Sequence, residues 1–163
     1  MDDHRTDKQR VALAYEKHAD TVVRAAWHFT GDIHTARDCA EEAFLKFLSH
    51  PEVSEEKELA WLVKVAVNNA RNILRSAHYT KTRPLDEISE KGEGDERTLA
   101  RRAAARAMLS LPEKYRLPLM LHLAQGMTIA QTAQVIGKGA NTTASLIRRG
   151  KKLLRKAYEK EEL

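Results

Sequence analysis

Apolar residues recur at steps of three and four along most of this chain, and nowhere do they alternate with polar ones for long enough to build a strand, which restricts the fold to packed helices. Val11, Tyr15, Ala19, Val22, Ala26 and Phe29 form the first stripe and predict a helix from about Asp7 to Thr30, stopped by Thr30-Gly31-Asp32. A second helix follows Asp32, with Ile33, Ala36, Ala40, Phe44, Phe47 and Leu48 inward and Arg37, Asp38, Glu41, Glu42 and Lys46 largely outward. After His50-Pro51, Ser54 stands where it can cap a third helix. Its stripe of Leu59, Leu62, Val63, Ala66, Ala70, Ile73 and Leu74 is the most regular in the chain.

From His78 to about Glu96 the pattern lapses into Thr, Lys, Pro84, Gly92, Gly94 and several acids, which reads as a flexible connection. The expected organisation is all-α: a helical domain over 1–77, a linker over 78–96 and a second helical domain over 97–163. In the second, Leu99, Ala103, Ala107 and Met108 predict a helix ending at Leu111-Pro112. Pro112 is suited to open the next helix, which carries Tyr115, Leu119 and Leu123 and stops at Gly126. Pro118 inside it supplies no amide proton, so a bend or a shifted start is expected.

The segment Gly126-Met127-Thr128-Ile129-Ala130-Gln131-Thr132-Ala133-Gln134-Val135-Ile136-Gly137, followed by Lys138-Gly139-Ala140-Asn141 and a long basic stretch, reads as a helix-turn-helix. Thr128 and Gln131 have capping-box spacing, Ala133 permits close helix approach, Gly137 suits the turn, and Asn141 or Thr142 is expected to cap the second helix. Such a unit places the start of its second helix in the major groove. An ordinary helical hairpin is the alternative.

Charge bears on these readings, with nucleic-acid binding and a solvated basic helix tail as its two interpretations. The net charge of +5 conceals a C-terminal third, residues 101–163, with 13 basic and four acidic side chains. Between Lys138 and Lys160 there are eight Lys or Arg and one acid, Glu159, which concentrates attraction for a polyanion at that end. No apolar run reaches the roughly 18–20 residues of a bilayer span, and the start, Met1-Asp2-Asp3-His4-Arg5, lacks a secretory pattern, so a cytoplasmic protein without membrane insertion is expected. The single cysteine, Cys39, cannot form an internal disulfide and is expected to be a small core residue. There is no phosphate-cradling glycine loop and no interpretable Ser, His and acid set, so neither catalysis nor a cofactor is expected. His18 with His28, or His34 with Cys39, makes at most two ligands, too few for a metal site.

Three stretches together resemble extracytoplasmic-function (ECF) sigma factors of the sigma-70 family. Thr30-Gly31-Asp32 leading into Ala36-Arg37-Asp38-Cys39-Ala40-Glu41-Glu42-Ala43-Phe44 is similar to the family's helix for binding core polymerase. Trp61-Leu62-Val63-Lys64-Val65-Ala66-Val67-Asn68-Asn69-Ala70-Arg71-Asn72-Ile73-Leu74-Arg75 resembles its helix for opening and reading the minus-ten element. Leu109-Ser110-Leu111-Pro112-Glu113-Lys114-Tyr115-Arg116, with the helix-turn-helix after it, resembles the domain that reads the minus-thirty-five element.

The resemblance implies roles that the chemistry permits. Asp38, Glu41 and Glu42 would offer carboxylates to basic residues of core RNA polymerase, with Phe44 packed behind or beside them. Lys64, Asn68, Arg71 and Arg75, at helical spacing, would meet the bases and phosphates of the separated promoter strand. Trp61 would be a core residue or an anchor near the melted DNA. Thr142, Ser145, Arg148, Arg149 and Lys152 would face the duplex. An anti-sigma protein is implied as a further partner. The chain departs from the pattern in carrying Ala144 and Leu146 where relatives commonly place Lys and Arg. It also departs in Ser49-His50-Pro51-Glu52-Val53-Ser54-Glu55-Glu56-Lys57-Glu58, which lacks the relatives' aromatic-Arg-Gly loop for a flipped base, and in Glu41, where Gln is commoner. Two other functions stay open: a sigma-like regulator that binds duplex DNA without a productive holoenzyme, and a polymerase-binding module that reads no DNA.

Overall fold

Three amphipathic helices account for the first part of the chain: α1 (Asp3–Thr30), α2 (Ile33–Leu48) and α3 (Glu58–Arg75). The computed structural model describes residues 3–76 and 96–161, with side chains from residue 6. It divides the chain into two compact units, Met1–Thr82 and Arg83–Leu163. That division falls inside the stretch expected to link the domains, most of which lies outside the described residues. Among the described residues no helix is long and apolar enough to cross a membrane.

The buried faces of the three helices are rich in alanine. Ala25 and Ala26 of α1, Ala36, Ala40 and Ala43 of α2, and Ala66 and Ala70 of α3 are all essentially inaccessible, so the backbones come close and the larger Val22, Phe47, Leu62, Val63 and Val67 fill the space between them. Asp32 starts α2, accepting from the His34 backbone amide at 3.1 Å and the Thr35 hydroxyl at 2.6 Å. The Thr35 bond, the largest effect, outweighs desolvation and, helped by the smaller backbone bonds to His34 and Thr35, holds its carboxyl below the usual carboxylate range. Ser54 behaves differently from expectation. It opens a 3-10 turn at Glu55–Lys57 without a side-chain cap bond, and α3 begins only at Glu58.

Two expected core residues lie outside. Tyr15 is 51% exposed although Ala14 and Val22 are buried, and its ring lines the open depressions between α1 and α2. Its ring meets Phe44 edge-on, with centroids 5.0 Å apart. Ile33 is 41% exposed and lines an open cleft between α1 and α2.

Polar ties connect α1 with the loop before α3. Arg10 Nη2 donates to the carbonyls of Phe47 (2.8 Å) and His50 (3.2 Å), while its guanidinium carbon sits 3.9 Å from the Phe47 ring centroid. His18 Nε2 lies 3.0 Å from Oε1 of the buried Glu58. Cys39 is 2% exposed, and burial, reinforced by Glu42 and Asp38, pushes its thiol up to about 11. A thiol so held is a poor nucleophile. Alkylation at mild alkaline pH is therefore expected to be at least about a hundredfold slower in the native protein than in denaturant, as read by mass spectrometry; equal rates would contradict this packing.

The second unit comprises α4 (Glu96–Ser110), α5 (Glu113–Leu119), a π-helical segment (Met120–Ala124), α6 (Ile129–Ile136) and α7 (Ala140–Glu161). Pro112 is the N-cap of α5 rather than its first helical residue. Downstream of Pro118 the helix widens into the π segment, where the Gln125 amide donates to the Met120 carbonyl at 3.0 Å. The wider turn shifts the phase of the stripe. Leu119, Met120 and Leu121 are all fully buried, whereas Leu123, expected inside, is 46% exposed. Leu99 is also 55% exposed, in the first turn of α4, whose one buried residue is Ala107.

The helix-turn-helix forms as its local chemistry dictates. Thr128 Oγ1 accepts from the Gln131 amide at 3.0 Å and Gln131 Oε1 from the Thr128 amide at 2.9 Å, the reciprocal capping box. Gly137 ends α6 in the left-handed region at φ 72°. Beyond the turn, α7 starts earlier than expected. The Gly139 carbonyl accepts from the Thr143 amide at 2.9 Å, so Asn141 and Thr142 lie in the first turn and neither is the cap. The buried hydroxyls of Thr132 and Thr143 are satisfied by the carbonyls of Thr128 and Gly139, each at 2.8 Å.

Gly150 does not interrupt α7, which is continuous from Ala140 to Glu161. It is buried against α5, where a Cβ would lie 2.8 Å from Leu119 Cδ1, 3.0 Å from Leu119 Cγ and 3.4 Å from Tyr115 Cβ. The glycine is the contact. Around it Leu111, Leu119 and Ile147 form a buried cluster, with Met108 and Leu154 packed on it.

Candidate functional site

Three surfaces carry the residues expected to act. On α2, Asp38, Glu41 and Glu42 are all exposed and stand three and four residues apart on one face. Phe44 is 4% exposed: it supports this face from below and offers little surface of its own. Sequence periodicity missed Leu45, which is 69% exposed and lies seven residues from Asp38 and four from Glu41. Beside it is an apolar depression of about 270 Å³ lined by Val11, Tyr15, Phe44, Leu45, Leu48 and one polar residue, Glu41. The usable signal was a leucine standing off the inward stripe of α2.

On α3, Lys64, Asn68 and Arg75 are exposed and Arg71 is half-buried, its guanidinium 5.8 Å from the Phe29 ring centroid. Asn68 Oδ1 accepts from Arg71 Nη1 at 3.4 Å, a long contact that leaves the amide free to exchange partners. Trp61 lies seven residues before Asn68, on the same side of the helix. It is half-buried, with its ring centroid 5.6 Å from that of Phe47 and 5.2 Å from that of His50. His50 is itself oriented by Glu52, Nδ1 to Oε1 being 2.7 Å. This bond lowers the Glu52 carboxyl below its ordinary range. Trp61 is therefore both a packing residue and the end of the α3 polar face. The loop before α3 presents the exposed His50 imidazole beside Trp61.

On α7, Thr143, Ile147 and Gly150 are buried, so the opposite face carries Ser145, Arg148, Arg149 and Lys152, with Thr142 at its start. Thr142, Arg148, Arg149 and Lys152 are exposed and Ser145 half-buried. Ala144 and Leu146, the two departures from the expected pattern, are also half-buried. Among the described residues no group of three or more His, Cys, Asp or Glu is placed to hold a metal ion.

Residues 14–79 match the family described as sigma-70 region 2, and residues 101–154 match sigma-70, region 4. Among curated proteins, the RNA polymerase sigma factor SigV of Bacillus subtilis is 25% identical over 99% of this chain and 90% of its own length. The ECF RNA polymerase sigma factor SigL of Mycobacterium tuberculosis is 28% identical over 86% of this chain and 84% of its own length. The probable ECF sigma factor SigI from the same species is 28% identical, with this chain spanning about half of it, 53%. Among solved structures, CnrH in complex with the cytosolic domain of CnrY shares the fold with a TM-score of 0.71 at 17% identity, over 96% of this chain and 92% of that one. RpoE in complex with the anti-sigma factor NepR from Bartonella quintana does so with a TM-score of 0.63 at 17% identity, over 93% and 96%.

Proposed function

This chain belongs to the sigma-70 family, in its ECF class, and is an RNA polymerase sigma factor; from that premise we propose how its surfaces divide the work. The acidic face of α2, with Asp38, Glu41 and Glu42 around the exposed Leu45, docks on a basic, partly apolar surface of core polymerase. The α3 face of Lys64, Asn68, Arg71 and Arg75 holds the separated minus-ten strand: Asn68 reads a base edge, and the cations neutralise phosphates. The α7 face of Thr142, Ser145, Arg148, Arg149 and Lys152 enters the major groove at the minus-thirty-five element. Because Ala144 and Leu146 are half-buried, base reading there falls to the neighbouring hydroxyls and arginines.

The protein performs no reaction of its own and works in the cytoplasm. RpoE was solved with an anti-sigma factor, and we extend that class of partner to this chain, where it would cover the polymerase-binding and DNA-binding faces in the resting state.

The observation that carries this reading is the coexistence of three charged or polar faces on two separately matched regions: exposed acids on α2, an exposed amide among cations on α3, and exposed cations on α7. Strand opening tests it. With holoenzyme reconstituted from core polymerase and the full chain, permanganate reactivity of thymines in the minus-ten element is expected to fall at least about tenfold in Asn68→Ala, the loss of about 1.4 kcal/mol expected for one base contact. Core binding should be unchanged. Wild-type opening by Asn68→Ala would remove Asn68 from the minus-ten interface, and absence of opening by the unmodified holoenzyme would overturn the division of work as a whole.

A further inference from the structure

Resting on the reading of the C-terminal unit as a duplex-binding domain, we infer that the distal turns of α7 form a second, sequence-independent phosphate-binding surface, made by Arg155 and Lys156 with Lys160 beyond them. These residues lie outside the matched region 4, which ends at residue 154, whereas the helix runs on to Glu161. They continue the groove-facing rows without a break: Arg148, Lys152 and Arg155 follow one another at steps of four and three, as do Arg149, Lys152, Lys156 and Lys160.

Length decides what they reach. At about 1.5 Å per residue, the segment from Thr142 to Arg149 spans about 10 Å, close to the roughly 12 Å width of the major groove. Arg155 and Lys156 stand about 20 Å from Thr142, past the groove wall, where phosphates are in reach and base edges are not.

Two observations set this surface apart from a solvated basic tail. The distal helix is held in place: Leu154 packs on the buried cluster, Ala157 and Tyr158 are half-buried, and Arg106 Nη1 reaches Glu161 Oε2 at 3.7 Å, tying the last turn to α4. Cations on a fixed rod lose less freedom on binding than cations on a frayed end. Among the described residues none of Arg155, Lys156 and Lys160 makes an ion pair, and of the two acids beside them there, Glu159 and Glu161, the second is drawn off by Arg106.

The test is a salt series of duplex binding by the full chain and by Arg155→Gln/Lys156→Gln. The probes are a long duplex carrying the minus-thirty-five element and the same element trimmed of its flanks. On the long duplex the variant is expected to lose about 1.8 from the slope of log affinity against log salt, at about 0.9 per phosphate released, with no change in preference over a scrambled duplex. On the trimmed duplex the two proteins should have equal slopes. Equal slopes on the long duplex, with circular dichroism showing α7 intact, would overturn the inference. If wild type shows no preference for the minus-thirty-five duplex but the variant still loses slope on the long one, groove reading fails while the phosphate surface stands.

Discussion

Gly150→Val is expected to destabilise the C-terminal unit strongly while leaving the N-terminal unit unchanged. A Cβ at this position already lies 2.8 Å from Leu119 Cδ1 and 3.0 Å from Leu119 Cγ, and Leu119 is fully buried in the cluster joining α5 to α7. Leu119 has nowhere to move without displacing Leu111 or Ile147. Overpacking of this kind costs about 1–3 kcal/mol for added methylenes, and a branched side chain on the helix axis belongs at or above the upper end. The higher helix propensity of valine returns well under about 1 kcal/mol of that. In a unit of this size about 3 kcal/mol lowers the melting temperature by about 12 °C or more. Both tryptophans, Trp27 and Trp61, lie in the N-terminal unit, so fluorescence follows that unit alone while far-ultraviolet circular dichroism follows both. The variant should shift the dichroism transition and leave the fluorescence transition in place. Wild-type dichroism would mean that α7 does not need a glycine against α5.

The second large effect is on assembly. Reversing Asp38, Glu41 and Glu42 to lysine is expected to weaken binding to core polymerase at least about a hundredfold, roughly 2.7 kcal/mol, because like charges across a docking surface are repelled as strongly as opposite ones were attracted. All three side chains are exposed, so the fold should keep its stability within about 0.5 kcal/mol per substitution. Titration of labelled protein with core polymerase at two salt concentrations measures both the loss and its electrostatic origin. An affinity that survives the reversal would move the docking surface off α2. A loss without salt dependence would assign the contact to the apolar depression at Leu45 and Tyr15.

What was legible in advance were the features set by neighbours in sequence. The capping box of Thr128 and Gln131, the left-handed Gly137 and the inward faces of α2, Ile33 apart, and of α3 follow from backbone chemistry and periodicity. So is the outward placement of the acids on α2 and of Lys64 and Asn68 on α3, since a helix with one apolar stripe leaves little choice about its other side.

What was not legible depends on contacts between elements. Gly150 reads as a weak point in a helix, and only the approach of Leu119 makes it a packing requirement. Pro118 forewarned of an irregularity, but not that the backbone would answer with a π turn that moves Leu123 out of the core. Tyr15 fits the stripe of α1 by type and spacing, yet its ring stands at the rim of the depressions between α1 and α2, which spacing along one helix does not reveal. The cap of α7 was misplaced for a local reason: Asn141 and Thr142 are good caps by residue type, but Gly139 supplies the first carbonyl two residues earlier. Nothing in its sequence neighbourhood distinguishes Arg10 from the other cations, although it joins α1 to the carbonyls of Phe47 and His50.

Promoter-specific initiation by core polymerase carrying this chain is measured by in vitro transcription from a pool of genomic fragments. Core polymerase supplemented with the unmodified chain is expected to start at a small set of discrete sites that are silent with core polymerase alone, and Arg148→Ala/Arg149→Ala should weaken those starts without creating others. Transcription no more site-specific than that of core polymerase alone, from a chain still shown to bind core polymerase or duplex DNA, would contradict the account.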